Sequence, residues 1–262
     1  MSQLDSTRGT QYRQFGMPRS SSRKCALKPY AVAAGPRSTR AMSYATLKDH
    51  LVRGAIAPGT RLVERSLSLE LGISRTPLRE ALLQLESERL VLRTPGGSWY
   101  VPVLSEREIR DIFSCRAVLE ALAAKMVVER ASDREIAELD EPTRRSEKAY
   151  KRGSLIAMTD ANSDFHLSLY RATDSDWLMS TVEPLRAQTT RMRFLIAEEV
   201  MQQGYPESHR VIFDALTRRD EVTAAKVAQD HVLDDLAVVL RNLKAVQRVD
   251  ARRGRDEALL QP

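Results

Sequence analysis

The sequence predicts a mainly α protein in two parts: three short helices closed by a β-hairpin, then an antiparallel all-α bundle of about six helices. Three observations carry this. Three brief apolar periods of helical spacing are packed between residues 44 and 90, each ended by glycine or a turn. Two β-prone runs, LVLRT and SWYVPVL, flank a PGG turn directly after them. From Ser105 to about residue 248 the chain reads as helix after helix joined by short turns.

In chain order, residues 1–43 hold eight Lys/Arg against the single acid Asp5. The net charge of +6 therefore sits in this stretch, and the rest of the chain is slightly negative. Rich in Ser, Arg, Pro and Gly and without an apolar period, 1–43 reads as a disordered basic extension able to attract phosphates non-specifically. Its composition also suits an organellar transit peptide or a start codon placed too early. Residues 249–262 read as a disordered tail.

YATLKDHLVRGAIAPG places Leu47, Leu51 and Val52 on one helical face and stops at Gly54. RLVERSLSLELG reads as a second short helix with Gly72 as its left-handed C-cap. In ISRTPLREALLQLESERL, Ser74 can serve as N-cap, Pro77 fits the first turn, and Leu78, Leu82, Leu85 and Leu90 form a buried stripe. Three helices and a hairpin in about sixty residues describe a winged helix-turn-helix over 44–104. Its third helix would enter the DNA major groove N-terminus first. Arg75 and Arg79, one turn apart and facing away from the leucines, would then meet guanine edges. A solvated arginine pair on an ordinary surface helix fits the same spacing.

The bundle spans 105–248. Its first helix opens with a capping box from Ser105 to Glu108, and Ile109, Ile112, Leu119, Leu122, Ala123 and Met126 are its expected buried residues. A break is expected near Pro142. Three of the four histidines, His166, His209 and His231, fall on three separate helices of this half. Asn162 shares a face with His166 at i,i+4. Converging in a bundle core, three imidazoles and one amide oxygen would suit a divalent ion such as Zn²⁺, Mn²⁺ or Ni²⁺. Three satisfied, unrelated histidines are the plainer alternative.

Several classes are disfavoured. The 262-residue chain is 42% hydrophobic and 29% charged, a soluble balance. No apolar run approaches the roughly 18–20 residues that span a bilayer, so no membrane partner is expected. Cys25 and Cys115 have no motif spacing, which points to a reduced compartment without disulfides. No HExxH, GxSxG or glycine-rich phosphate loop is present, and no enzymatic activity is expected.

At this point PGTRL followed by SRTPLREAL resembles the DNA-binding domain of GntR-family bacterial transcription regulators. RAVLEALAA, ANSDFH and ESHRVIFDALTRRD are similar to the FCD ligand-binding domain of the FadR-type subgroup, in its six-helix VanR-like branch. The resemblance implies that Arg65, Arg75 and Arg79 contact the operator, and that Ser74 and Thr76 lie near phosphates. Gly96 and Gly97 would form the wing tip. Trp99 and Tyr100 depart from the family there, and Trp99 reads as a packing residue. His166, His209 and His231 match the metal ligands of metal-containing FCD domains, with Asn162 where Asp is common. A neutral amide in that place leaves the ion more positive and better suited to an anion.

Arg116 matches an arginine facing the effector cavity, although an ion pair with Glu120 at i+4 fits its position too. Arg191 and Arg193 are read as helix-surface residues, with a place lining the same cavity as the alternative. The implied protein is a bacterial cytoplasmic, nucleoid-associated homodimer on a pseudo-palindromic double-stranded operator, most often a repressor, modulated by a small carboxylate. A metal-responsive regulator without organic effector, and a metalloenzyme, are the alternatives.

Overall fold

In the computed structural model, residues 40–197 and 208–256 are described. The predicted extension lies outside them except for Arg40–Ser43, as does the tail beyond Asp256. Helix α1 (Arg40–Val52) leads to β1 (Arg61–Leu62), α2 (Glu64–Leu71), α3 (Arg75–Ser87), β2 (Leu92–Arg93) and β3 (Trp99–Tyr100). The antiparallel sheet runs β1-β3-β2, with Leu62 opposite Trp99 and Arg93 opposite Trp99 on the other side. The wing thus has a third strand, β1, in a stretch read from sequence as the start of a helix. Two residues suffice for it because Trp99 and Val101 supply the apolar edge that Leu62 needs.

Leu47, Leu51, Leu67, Leu78, Leu82, Leu85 and Leu90 close one core, so the leucine periods do what their spacing predicts. Gly72 sits at φ +64 and its N–H reaches the Ser68 carbonyl, which makes the tight turn from α2 into α3.

The second half comprises α4 (Glu106–Arg130), α5 (Asp133–Ala137), α6 (Asp140–Lys151), α7 (Leu155–Arg171), α8 (Asp176–Leu195), α9 (Ser208–Thr217) and α10 (Glu221–Asp256). The Ser105–Glu108 capping box is present in full. Long helices α4 and α10 run antiparallel. Ile109 and Phe113 pack with Val232, Leu236 and Val239 at one end, and Lys125 meets Glu221 at 3.6 Å at the other.

Three expectations need correction. The chain breaks at Glu138–Leu139, before Pro142, because Pro142 falls in the first turn of α6 where no amide donor is needed. In α4, Leu122 is exposed and Ile112, Leu119 and Met126 are half-buried. The inward stripe is instead Ile109, Phe113, Arg116, Ala117, Glu120, Ala123, Ala124 and Val127, two of them charged. Helix α10 also continues past residue 248 to Asp256. Among the described residues no helix is long and apolar enough to cross a membrane.

Candidate functional site

Two sites emerge, one on the surface and one in the bundle core. On the surface, Arg65, Ser74, Arg75, Thr76 and Arg79 are all exposed. Ser74 holds the extended N-cap conformation, yet its hydroxyl makes no capping bond, so both it and the first-turn amides of α3 stay open to an anion. The salt bridges among the described residues use Lys48 and Arg53 of α1 but not Arg65, Arg75 or Arg79. Charges left without acidic partners on one face are what a polyanion requires.

At the wing tip Gly97 has φ +80, a conformation that favours glycine, and its N–H bonds the Thr94 carbonyl at 2.8 Å. Trp99 is buried, and its indole N–H donates to Glu64 at 3.0 Å, fastening the wing to the start of α2. Arg93 lies over the Trp99 ring, and Arg61 donates to Ser98 at 2.8 Å. Trp99 is therefore a packing residue, as read from the sequence.

In the bundle, α7 carries Asn162 and His166, α9 carries His209 and α10 carries His231, all buried. One ring nitrogen from each histidine lies within 4.8 Å of the others. The Nε2 atoms of His166 and His231 are 3.1 Å apart. In a tetrahedral zinc site, ligand atoms at bond lengths of about 2.0–2.1 Å stand roughly 3.3 Å from one another. Burial, above all, holds the three imidazoles well below the usual histidine range, and neighbouring rings and cations add to it. Neutral imidazole is the form that binds a metal.

Two further observations fit a divalent ion. Among the described residues Asn162 Oδ1 and both ring nitrogens of His209 have no hydrogen-bond partner although they are buried. Each such group costs about 1–3 kcal/mol unless something pairs with it. His166 Nδ1, by contrast, bonds Glu120, and its Nε2 is the nitrogen turned toward His231.

Around the histidines lies a charged network that sequence reading found only in part. Arg116 is 2% exposed, donates to Thr189 Oγ1 at 2.8 Å and lies 3.5 Å from Glu120. The ion-pair placement of Arg116 is thus realised, and Glu120 is itself buried beside His166 and accepts from the Tyr170 hydroxyl. Burial pushes the Glu120 carboxyl up, and the Arg116 charge opposes the shift. Arg193 pairs with Asp235 through both carboxylate oxygens, with Nε to Oδ2 at 2.9 Å, and Asp235 stands 3.9 Å from His231 Nε2.

The surface assignment of Arg191 and Arg193 is therefore wrong: Arg191 is fully buried, and the Arg193 side chain is only 12% exposed. Glu120, named from sequence as an ion-pair partner of Arg116, and Tyr170 and Asp235, unassigned from sequence, follow Arg116, His166 and His231 by four residues. That spacing put them on the correct faces. Thr189 carried no such signal.

Comparison with known proteins agrees with the two-part fold. Residues 39–101 match "Bacterial regulatory proteins, gntR family" and residues 111–234 match the FCD domain. The Nta operon transcriptional regulator of Aminobacter aminovorans is 33% identical over 190 residues, 70% of this chain and 88% of that protein. The HTH-type transcriptional repressor RspR of Escherichia coli (strain K12) is 26% identical over 202 residues, 77% of this chain and 88% of its own. The HTH-type transcriptional regulator McbR of the same strain is 33% identical over 139 residues, which are 53% of this chain and 63% of McbR. The solved McbR structure matches with a TM-score of 0.66 at 26% identity, covering 81% of this chain and 99% of that one. These relatives are regulators of transcription and not enzymes. The chain belongs to the GntR family of DNA-binding transcriptional regulators, with an FCD domain as its helical half.

Proposed function

We propose that this protein is a homodimeric repressor whose operator binding is relieved by a small carboxylate held in the bundle beside a divalent metal ion. The observation that carries the reading is the pairing of unsatisfied neutral donors with a buried cation. Asn162 Oδ1 and the His209 nitrogens await an electrophile, and the Arg116 guanidinium lies in the same polar interior. Asn162, His166, His209 and His231 would hold the ion, and Glu120 orients His166. When bound, the ion supplies a Lewis-acidic anchor for a carboxylate oxygen. Arg116 supplies the fork for the second oxygen, and buried Phe165 and Leu169 keep bulk water away.

On the DNA side, Arg65, Arg75 and Arg79 of each protomer would reach the operator, Ser74 and Thr76 its phosphates, and Gly96 and Gly97 would let the wing approach the backbone closely. Two protomers related by a two-fold axis would read half-sites about one helical turn apart, on the nucleoid in the cytoplasm. An inducer must bind the operator-incompetent arrangement better, by about 1–3 kcal/mol for typical coupling.

The test is thermal unfolding and operator binding of metal-loaded protein against a panel of hydroxy acids, sugar acids and dicarboxylates. A carboxylate that raises Tm, weakens operator binding and loses both effects in Arg116→Met supports the reading. Equal protection of Arg116→Met contradicts it. Release of the operator by metal alone would make the ion itself the signal.

A further inference from the structure

Helix α8 offers one face to each site. At about 100° per residue, Glu183, Ala187, Gln188 and Arg191 fall on one side of the helix, and Val182, Thr189 and Arg193 on the opposite side. The contacts follow that division. On the first side, Ala187 completes the apolar core of the DNA-binding unit. Gln188 Nε2 donates to the Arg89 carbonyl at 2.8 Å. Arg89, at φ +58, follows closely on the last residues of α3. Lys48 bridges Glu183 and Glu88, each at 2.8 Å, and so ties α8 to the same end of α3 a second time. Arg191 donates to the Pro102 carbonyl at 3.2 Å, in the segment between the wing and α4.

On the second side, Val182 lies in the bundle core and Thr189 Oγ1 accepts from Arg116. Arg193 holds Asp235 beside His231.

We propose that Gln188 is a positioning residue for the recognition helix, and that α8 is the bar by which the histidine cluster sets that helix's angle. Gln188 and Thr189 are consecutive residues of one helix, so a displacement of Thr189 is passed to Gln188 and thence to the end of α3. A carboxylate that takes the Nη1 hydrogen now donated to Thr189 breaks the Arg116–Thr189 bond, which removes one restraint on α8 from inside the bundle. Arg89, held through its carbonyl, is moved by a contact that lies far along α3 from Ser74 and Arg75. The angle of the helix then changes while its base-reading end keeps its own chemistry.

This deepens the reading of a dimeric, carboxylate-responsive regulator, and rests on it. The test needs no effector, so failure of the effector assignment would leave its outcome intact.

The test uses full-length protein, with the dimer verified by sedimentation and the operator selected from random duplexes. The probes are that duplex, versions with the half-sites moved one base pair closer or further, and a single half-site. Gln188→Leu removes the donor to Arg89, and Thr189→Val removes the acceptor for Arg116 at nearly constant volume. The expected result is that each variant still binds the single half-site, while its preference for native spacing falls roughly tenfold. The combined variant should fall no further than either alone, because both break one line of contact. Equal loss on every probe, or additive loss in the combined variant, would mean that these residues only stabilise the fold and would overturn the proposal. Since Lys48–Glu183 is a second tie, Gln188→Leu with Glu183→Gln is the decisive variant: an unchanged spacing preference there also overturns it.

Discussion

Arg75 and Arg79 stand exposed on α3, with no salt bridge to them among the described residues, whereas Arg116 is buried, Arg193 is half-buried, and each meets a carboxylate. The same side chain obeys two different balances. On the surface, water solvates the charge, so an arginine can wait for a phosphate or a guanine edge at little cost. In the bundle, burial is expensive, so Arg116 and Arg193 are matched to Glu120 and Asp235 and fixed by hydrogen bonds, while Arg191 donates to the Pro102 carbonyl. The surface contacts are accordingly independent of one another, and the buried ones form a coupled set.

The largest expected effect lies in the coupled set. Arg116→Leu strands Glu120 in the core and should lower unfolding free energy by about 3–5 kcal/mol. Arg116→Leu with Glu120→Leu should recover most of it, because no charge is then left unpaired. Chemical denaturation of the single and combined variants measures this. If the combined variant is worse than the single one, the two residues are not a pair.

Next comes the metal. His209→Ala should abolish the metal-dependent rise in Tm, a loss of about 2.7 kcal/mol at a hundredfold excess of ion over Kd. An undiminished rise would remove His209 from the site. On the surface, Arg79→Ala should cost about 1–3 kcal/mol of operator discrimination and leave Tm alone. Retained discrimination at moderate salt would count against α3 as the reading helix.

The smallest effect per residue is in pH. Unfolded imidazoles titrate near about 6.5, and burial holds the three folded ones lower. Between those values the unfolded chain carries more protons, so stability rises with pH. It is fully present above about pH 6.5 and lost as pH falls through the folded values, at most about 1.4 kcal/mol per pH unit for each histidine. Metal-free protein should show a falling Tm below that point. A flat profile would mean that the rings are solvated.

The two regions also differ in how much of them the sequence discloses. The reading helix is a local object: the Leu78–Leu82–Leu85 stripe, Gly72 and Ser74 locate it and leave Arg75 and Arg79 outward, as observed. The histidine cluster joins three helices, so spacing could nominate His166, His209 and His231 but not bring them together. The misreadings share one cause. Arg191, Arg193 and Leu122 were assigned by hydrophobicity, yet burial was decided by partners from distant segments. Pro102 and Asp235 draw the two arginines in, while Glu120 takes the inward place on α4. Strand β1 is not legible because Arg61 and Leu62 lead straight into the apolar period of α2.

The most direct test of the account is the metal content of purified, untagged protein, measured by elemental analysis per chain. The prediction is about one divalent ion per chain, retained through gel filtration and lost in His209→Ala. A content near zero that persists after reconstitution would contradict it, and any anion in the bundle would then have to be held through Arg116 alone.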